Sequence, residues 1–192
     1  STLEEAEEKI SKGMHIMIRE GSAAKNYDAL KSLIATRTDS VMFCTDDSHA
    51  DDLLNEGHIN KIVKKALDLG INFFDTANTY SHGTSEEYLG RALKKNIARN
   101  KVVIGTKVYF NEGHLSKEAV RREIDGSLKR LGTDYVDLYI IHRFDYTTPI
   151  EETMEALHGL VKAGKVRALG ASAMYGYQFM KMQYAAERKS VV

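Results

Sequence analysis

The stretch LGTDYVDLYIIH (residues 131–142) shows how the chain is organised, because a helix end, a buried strand and a polar side chain follow one another in it. Ser116 is a favourable helix cap, and the helix predicted after it runs to Leu131. The continuous apolar run at 138–141 predicts a strand buried on both faces. His142 follows that strand directly, where a (β/α) barrel places its active site. The stretch therefore predicts one βα unit with a functional residue at its strand end.

The same order of strand and helix recurs along the whole chain. Predicted strands cover residues 14–18, 40–44, 71–74, 101–105, 138–141 and 166–170. Predicted helices cover residues 3–12, 23–35, 51–69, 85–96, 116–131, 149–163 and 177–188. This alternation predicts a parallel sheet covered by helices. A doubly wound open sheet usually carries a Gly-rich fingerprint after its first strand, and none is present. The pattern favours an α/β fold of incomplete or rearranged (β/α) TIM-barrel type, with six parallel βα units.

Composition limits the classes of function. The 192 residues are 43% hydrophobic and 28% charged, which predicts a single soluble globular domain over residues 1–192. The formal net charge of zero gives no indication of a nucleic-acid or anionic-membrane partner. Cys44 is the single cysteine, so an internal disulfide is excluded. We find neither a membrane-length apolar run nor a signal peptide, and a cytoplasmic location is the expectation.

Motifs in the second part of the chain occur in a characteristic order. They are FFDTA (73–77), SEEYLGRAL (85–93), IGTK (104–107), SLKRLG (127–132), DYVDLYIIH (134–142) and LVKAGKVRALGAS (160–172). Each motif alone is weakly specific, but the series is strong. Residues 71–190 resemble the second to fifth βα units of the aldo-keto reductases. The resemblance implies a carbonyl reductase segment at 71–192.

The resemblance also implies a catalytic tetrad. Its members match four residues of this chain, namely Asp75, Tyr80, Lys107 and His142. Reducing a carbonyl requires a proton for the developing alkoxide, and a lysine ammonium beside Tyr80 would favour transfer from its hydroxyl. Asp75 would hold that ammonium, and His142 would donate to the substrate oxygen. Taken singly, each residue could equally be a solvated loop charge, a helix cap or a packing residue.

The cofactor implied by the resemblance is NADPH or NADH. Ser172 matches a position that contacts the nicotinamide carboxamide, and Ala173 stands where the family usually has asparagine. The family's later glutamine, stacking aromatic residue and phosphate-binding loops have no counterpart before Val192. We therefore expect the nucleotide to bind weakly.

Residues 1–70 resemble a different family. MHIMIREGSAAKN (14–26) and FCTDDSH (43–49) are similar to the seventh and eighth βα units of microbial adenine deaminases, which belong to the amidohydrolase superfamily. That resemblance implies a metal site, but only Asp46 or Asp47 could match one of its ligands. A single carboxylate does not retain a catalytic metal ion. The spacing of His15, His49 and His58 gives no compact ligand set, so no metal is expected.

Two classes of function follow. The first is a chimera joined within 58–70, a TIM-barrel-fragment scaffold that keeps the tetrad but lacks efficient catalysis. The alternative is an NADPH-dependent aldo-keto reductase that reduces aldehydes or ketones. Adenine deaminase activity is not expected, because its metal ligands are missing. The open edges of the strands at 14–18 and 166–170 predict a homo-oligomer.

Overall fold

A computed structural model describes residues 2–21, 25–45 and 59–189. The chain divides into two compact units, Ser1–Ile71 and Asn72–Val192. Among the described residues, no helix combines the length and the apolar character that crossing a membrane requires. The two units are compact separately, and the predicted single domain stays a prediction.

The first unit contains two parallel strands and short helices. Its elements are α1 (Leu3–Ser11), β1 (Ile16–Arg19), α2 (Tyr27–Leu30), α3 (Ser32–Thr36), β2 (Val41–Cys44) and α4 (Ile59–Asp68). Strands β1 and β2 pair in parallel, with Ile16 opposite Val41. Ile18, Leu30 and Leu33 are buried in the core of this unit.

The single helix predicted at 23–35 is wrong in its extent. Helices α2 and α3 replace it and are separated by Lys31, which keeps a helical backbone. The start is late because Asn26 is bound to the end of β1. Its side-chain oxygen accepts from the Arg19 N–H at 2.7 Å, and its own N–H donates to the Arg19 carbonyl. A residue held in this way cannot lie inside a regular helix.

The second unit alternates strand and helix throughout. Its elements are β3 (Phe73–Asp75), α5 (Thr84–Asn96), β4 (Val103–Val108), α6 (Lys117–Leu131), β5 (Val136–Ile141), α7 (Ile150–Lys162), β6 (Val166–Ala171) and α8 (Gly176–Lys189). The strands form one parallel sheet in the order β3-β4-β5-β6. Their carboxyl ends therefore share one edge. The α/β character and the parallel strands are confirmed, whereas an arrangement of six units in one sheet stays a prediction.

Helix α6 shows how local sequence determines these elements. The Ser116 hydroxyl accepts from the Ala119 N–H at the helix start, and Gly132 ends the helix in the left-handed conformation, with φ of 66°. Val120, Ile124 and Leu128 are spaced four residues apart and are buried together. This spacing places them on one face of the helix, which packs against the sheet and the neighbouring helices.

The amino ends of the strands are held by a stacked charge cluster. The guanidinium carbons of Arg99 and Arg167 each lie 3.9 Å from the centre of the Tyr135 ring. Both arginines also bind Asp137, at 2.7 and 2.9 Å. Cation–π contacts and charge-assisted hydrogen bonds act together here, so this end of the sheet contributes stability.

Close packing of α5 against α6 depends on Gly90. A Cβ at this position would overlap the backbone carbonyl of Leu131. We expect Gly90→Ala to lower the free energy of unfolding by about 2 kcal/mol or more, because overlap with backbone cannot be relieved by a side-chain rotation.

Gly159 in α7 supplies the matched control, since a Cβ there meets no atom within 4 Å. Gly159→Ala should raise the free energy of unfolding by roughly 0.5–1 kcal/mol, the intrinsic helix advantage of alanine. Urea denaturation of both variants measures the difference. Equal effects would contradict the proposed role of Gly90 in helix packing.

Candidate active site

Lys107 lies near the carboxyl end of β4 and is the buried charge of the site. Its residue surface is 7% exposed. The ammonium forms an ion pair with Asp75, donates to the Thr76 carbonyl at 2.8 Å and lies 3.4 Å from the Tyr80 hydroxyl. A buried ammonium requires such partners, because it has lost its hydration. The 3.4 Å separation is long for a hydrogen bond, and catalytic contacts of this kind often shorten when a ligand binds.

Tyr80 is positioned by the chain that follows β3. The Thr76 N–H donates to the backbone carbonyl of Gly105, and the Asn78 N–H donates to the backbone carbonyl of Lys107. The chain after β3 therefore continues beside β4. A short 3₁₀ turn, Tyr80–Gly83, comes next. Ser81 and His82 in this turn have φ of 47° and 53°, in the left-handed region. Residues other than glycine adopt this conformation at a cost, and such strain is often found at functional sites.

A buried carboxylate anchors the helix behind this turn. Glu86, in the first turn of α5, has no exposed surface. It accepts hydrogen bonds from the Thr106 hydroxyl and from the Arg130 guanidinium at 2.6 Å. Thr106 is the strand neighbour of Lys107, so Glu86 connects the Tyr80 turn to the strand that carries the lysine. Sequence reasoning missed this role, although an acidic residue just after a catalytic-type loop was a visible signal.

His142 follows β5 and completes the cluster. Its ring lies edge-on to the Tyr80 ring, with the centroids 5.7 Å apart. Burial lowers the pKa of His142, the charge of Lys107 lowers it further and Asp75 partly opposes the shift. The imidazole is therefore neutral at neutral pH. Nδ1 is buried without a hydrogen-bond partner among the described residues. An unpaired acceptor is tolerated better than an unpaired N–H, which favours a proton on Nε2.

Ser172 lies one strand further along the same edge, directly after β6. Its N–H donates to the Ile141 carbonyl at 2.9 Å, which continues the pairing of β5 with β6. The structure thus brings Asp75, Tyr80, Lys107 and His142 together in one cluster. Ser172 occupies the strand end next to that of His142. Ala173 has φ of 45°, a left-handed conformation that is unusual for alanine.

Comparisons with known proteins agree with this geometry. The model of the Aldo/keto reductase family matches residues 48–192. An aldo-keto reductase of Fusarium vanettenii is 45% identical over 71% of this chain and 45% of its own length. The versiconal hemiacetal acetate reductase of Aspergillus parasiticus is 42% identical over 71% of this chain and 46% of its own length. A solved structure of a thermostable aldo-keto reductase, with 30% identity and a TM-score of 0.64, covers 77% of this chain and 51% of the other.

The chain belongs to the aldo-keto reductase family. It spans about half the length of the relatives that it matches. The resemblance stated for residues 71–190 is confirmed, and the barrel-type α/β fold agrees with the solved relative. The family match begins at residue 48, before the seam predicted within 58–70.

The adenine deaminase resemblance of residues 1–70 stays a prediction. Its candidate ligands Asp46 and Asp47, and the histidines His49 and His58, lie outside the described residues. His15 is described and is exposed before β1. Residues 2–21, 25–45 and 59–189 contain no group of three or more His, Cys, Asp or Glu side chains that could hold a metal ion.

The left-handed backbone at Ala173 of this aldo-keto reductase generates a prediction. Asparagine adopts this conformation more readily than alanine, so Ala173→Asn should raise the free energy of unfolding by about 0.5–1 kcal/mol. Ala163 is the control, because it is also exposed but has φ of −76°. Ala163→Asn should leave stability unchanged or slightly lower. Urea unfolding midpoints measure the stability of the two variants. A gain in stability in both variants would contradict the explanation from the backbone conformation.

Proposed function

We propose that this chain forms the catalytic part of an NAD(P)H-dependent reductase that converts aldehydes or ketones to alcohols. The observation that carries the proposal is the position of the Lys107 ammonium between Asp75 and the Tyr80 hydroxyl, with the His142 ring beside Tyr80. Membership of the aldo-keto reductase family supports the same reaction.

Four residues have separate roles in protonating and orienting the substrate oxygen. The Tyr80 hydroxyl donates a proton to the carbonyl oxygen as it becomes an alcohol oxygen. The buried Lys107 ammonium stabilises the phenolate that remains, since opposite charges attract each other. Asp75 keeps the lysine in place. The neutral His142 ring donates a hydrogen bond to the same carbonyl oxygen and orients it.

A bound NADPH or NADH would supply the hydride for the carbonyl carbon. Ser172 would hold its nicotinamide end, because the hydroxyl makes no hydrogen bond to any residue in the described parts of the chain. A serine hydroxyl both donates and accepts, which suits the two polar groups of a carboxamide. The Ser172 hydroxyl is therefore suited to the carboxamide group of the nicotinamide.

A chimeric scaffold with little turnover is the second candidate. The division into compact units at Ile71 favours it, because that boundary lies beside the predicted seam. Ala173 also favours it, since an alanine cannot hydrogen-bond a carboxamide through its side chain. The family match from residue 48 onward supports the reductase more strongly. Tetrad-dependent turnover separates the two candidates.

We also propose a cytoplasmic homo-oligomer. Strand β1 pairs with β2 only, and β6 pairs with β5 only, within the sheets that the described residues form. Backbone groups at such edges are a known route to association between copies. The single cysteine, Cys44, is compatible with a reducing compartment.

Multi-angle light scattering across a range of protein concentrations measures the assembly. We expect a mass at least twice that of one chain, which would fall on dilution if association is weak. A constant monomer mass at every concentration would contradict the homo-oligomer.

Replacing the proton donor tests the reductase directly. With NADPH and 4-nitrobenzaldehyde, Tyr80→Phe should lower kcat/KM by roughly 10²–10⁴-fold, the usual contribution of a general acid. Tyr88→Phe is the control, since Tyr88 is an exposed tyrosine on α5. Nucleotide oxidation is followed by absorbance. Turnover that survives Tyr80→Phe would refute the assignment, and failure of NADPH to bind even at millimolar concentration would favour the scaffold.

A further inference from the structure

Arg143 lies next to His142 and forms no ion pair with a carboxylate of the described residues. It follows His142 directly and is exposed. Across residues 2–21, 25–45 and 59–189, its guanidinium forms none of the ion pairs that the structure shows. Lys107, the other cation of the site, is already paired with Asp75. Arg143 is therefore a positive charge next to the site that no carboxylate of the described residues neutralises.

The nearest acid in the sequence is engaged elsewhere. Asp145 accepts from the Leu115 N–H at 3.1 Å, from the Thr147 N–H and hydroxyl at 2.8 and 2.7 Å, and from the Thr148 hydroxyl at 2.7 Å. Burial raises the pKa of Asp145, but these hydrogen bonds outweigh it and bring the pKa to about 2. Both carboxylate oxygens are used in joining two rim loops, so Asp145 is not the partner of Arg143.

Phe110 contacts both Arg143 and His142. Its ring is edge-on to the His142 ring with the centroids 5.0 Å apart, and the Arg143 guanidinium carbon is 5.6 Å from the Phe110 centroid. The Phe110 ring is held edge-on by Tyr109, yet Phe110 remains 49% exposed. An open aromatic face next to a reactive group is a typical contact surface for a flat apolar ligand.

We propose that Phe110 and Arg143 form a substrate subsite for aromatic aldehydes or ketones that carry a carboxylate on the ring. This subsite rests on the proposed reductase function. The carbonyl oxygen would lie at His142 and Tyr80, the ring would pack on Phe110 and the carboxylate would receive hydrogen bonds from Arg143. A guanidinium binds a carboxylate through two parallel hydrogen bonds, which makes arginine the suitable residue for this position.

The electrostatics of His142 are consistent with this arrangement. Arg143 contributes, after burial and Lys107, to lowering the pKa of His142. An anion bound at Arg143 would offset part of the positive potential, so the pKa of His142 should rise when the ligand binds. Added salt should weaken the preference for anionic ligands, because screening reduces exposed charge interactions.

Binding of two ketones, measured without the reduced nucleotide that turnover requires, tests the subsite separately from catalysis. The probes are 4-acetylbenzoate and its methyl ester, titrated by saturation-transfer difference NMR in the absence of reduced nucleotide. The parent chain should bind the carboxylate about tenfold more tightly than the ester, as a bidentate pair at a partly exposed site allows. Arg143→Gln should remove that preference, and Phe110→Leu should weaken both probes.

Arg121→Gln is the matched control, because Arg121 is an exposed arginine on helix α6. It should retain the full preference. The subsite is overturned if Arg143→Gln keeps the preference, if the parent binds neither probe at millimolar concentration, or if Arg143→Gln weakens only NADPH binding.

Measurements of turnover distinguish a failure of the subsite proposal from a failure of the proposed reductase function. A parent that prefers the carboxylate but never oxidises NADPH would support the subsite and refute the reductase. Turnover of the methyl ester and the carboxylate with equal kcat/KM would support the reductase and refute the subsite.

Discussion

The buried ammonium of Lys107 connects the parts of the molecule that the candidate site needs. A charge removed from water must find replacement partners, and the chain after β3 supplies them through Asp75, Thr76 and Tyr80. The same ion therefore determines where the chain leaves β3 and how close Tyr80 comes to His142. Without it, the tyrosine would lose its charge partner, and the loop would lose one of its attachments to the sheet.

The two ends of the four-stranded sheet have different physical roles. At the amino end, two arginines contact the Tyr135 ring and share Asp137, so the three charges of this cluster are paired with one another. At the carboxyl end, Ser81, His82 and Ala173 have left-handed backbones. Stabilising interactions at one end allow strain at the other to persist. This division is the one expected of a (β/α) barrel, in which the carboxyl edge carries the chemistry.

The candidate site is more complete for proton transfer than for nucleotide binding. Asp75, Tyr80, Lys107 and His142 lie together, as the proposed reductase would require, whereas Ser172 is the one described residue that we assign to the nicotinamide. Positioning of two reactants can contribute effective molarities of about 10⁵–10⁸ M, more than a general acid alone. In the proposed reaction, catalytic efficiency would therefore depend mainly on how the nucleotide is held. Relatives twice its length have further chain available for that purpose.

The sequence alone determined the strand–helix alternation after residue 72, and it predicted which four residues would form a catalytic tetrad. Both depend on local patterns, namely apolar runs, helix caps and ordered motifs, which short stretches contain completely. The tertiary structure alone decided which distant groups meet. Glu86 bonds Arg130 across 44 positions, and Phe110 reaches both His142 and Arg143 from a different loop. The late start of α2 has the same origin, because Asn26 binds back to β1. Such contacts arise from packing between elements, and no local pattern in the chain encodes them.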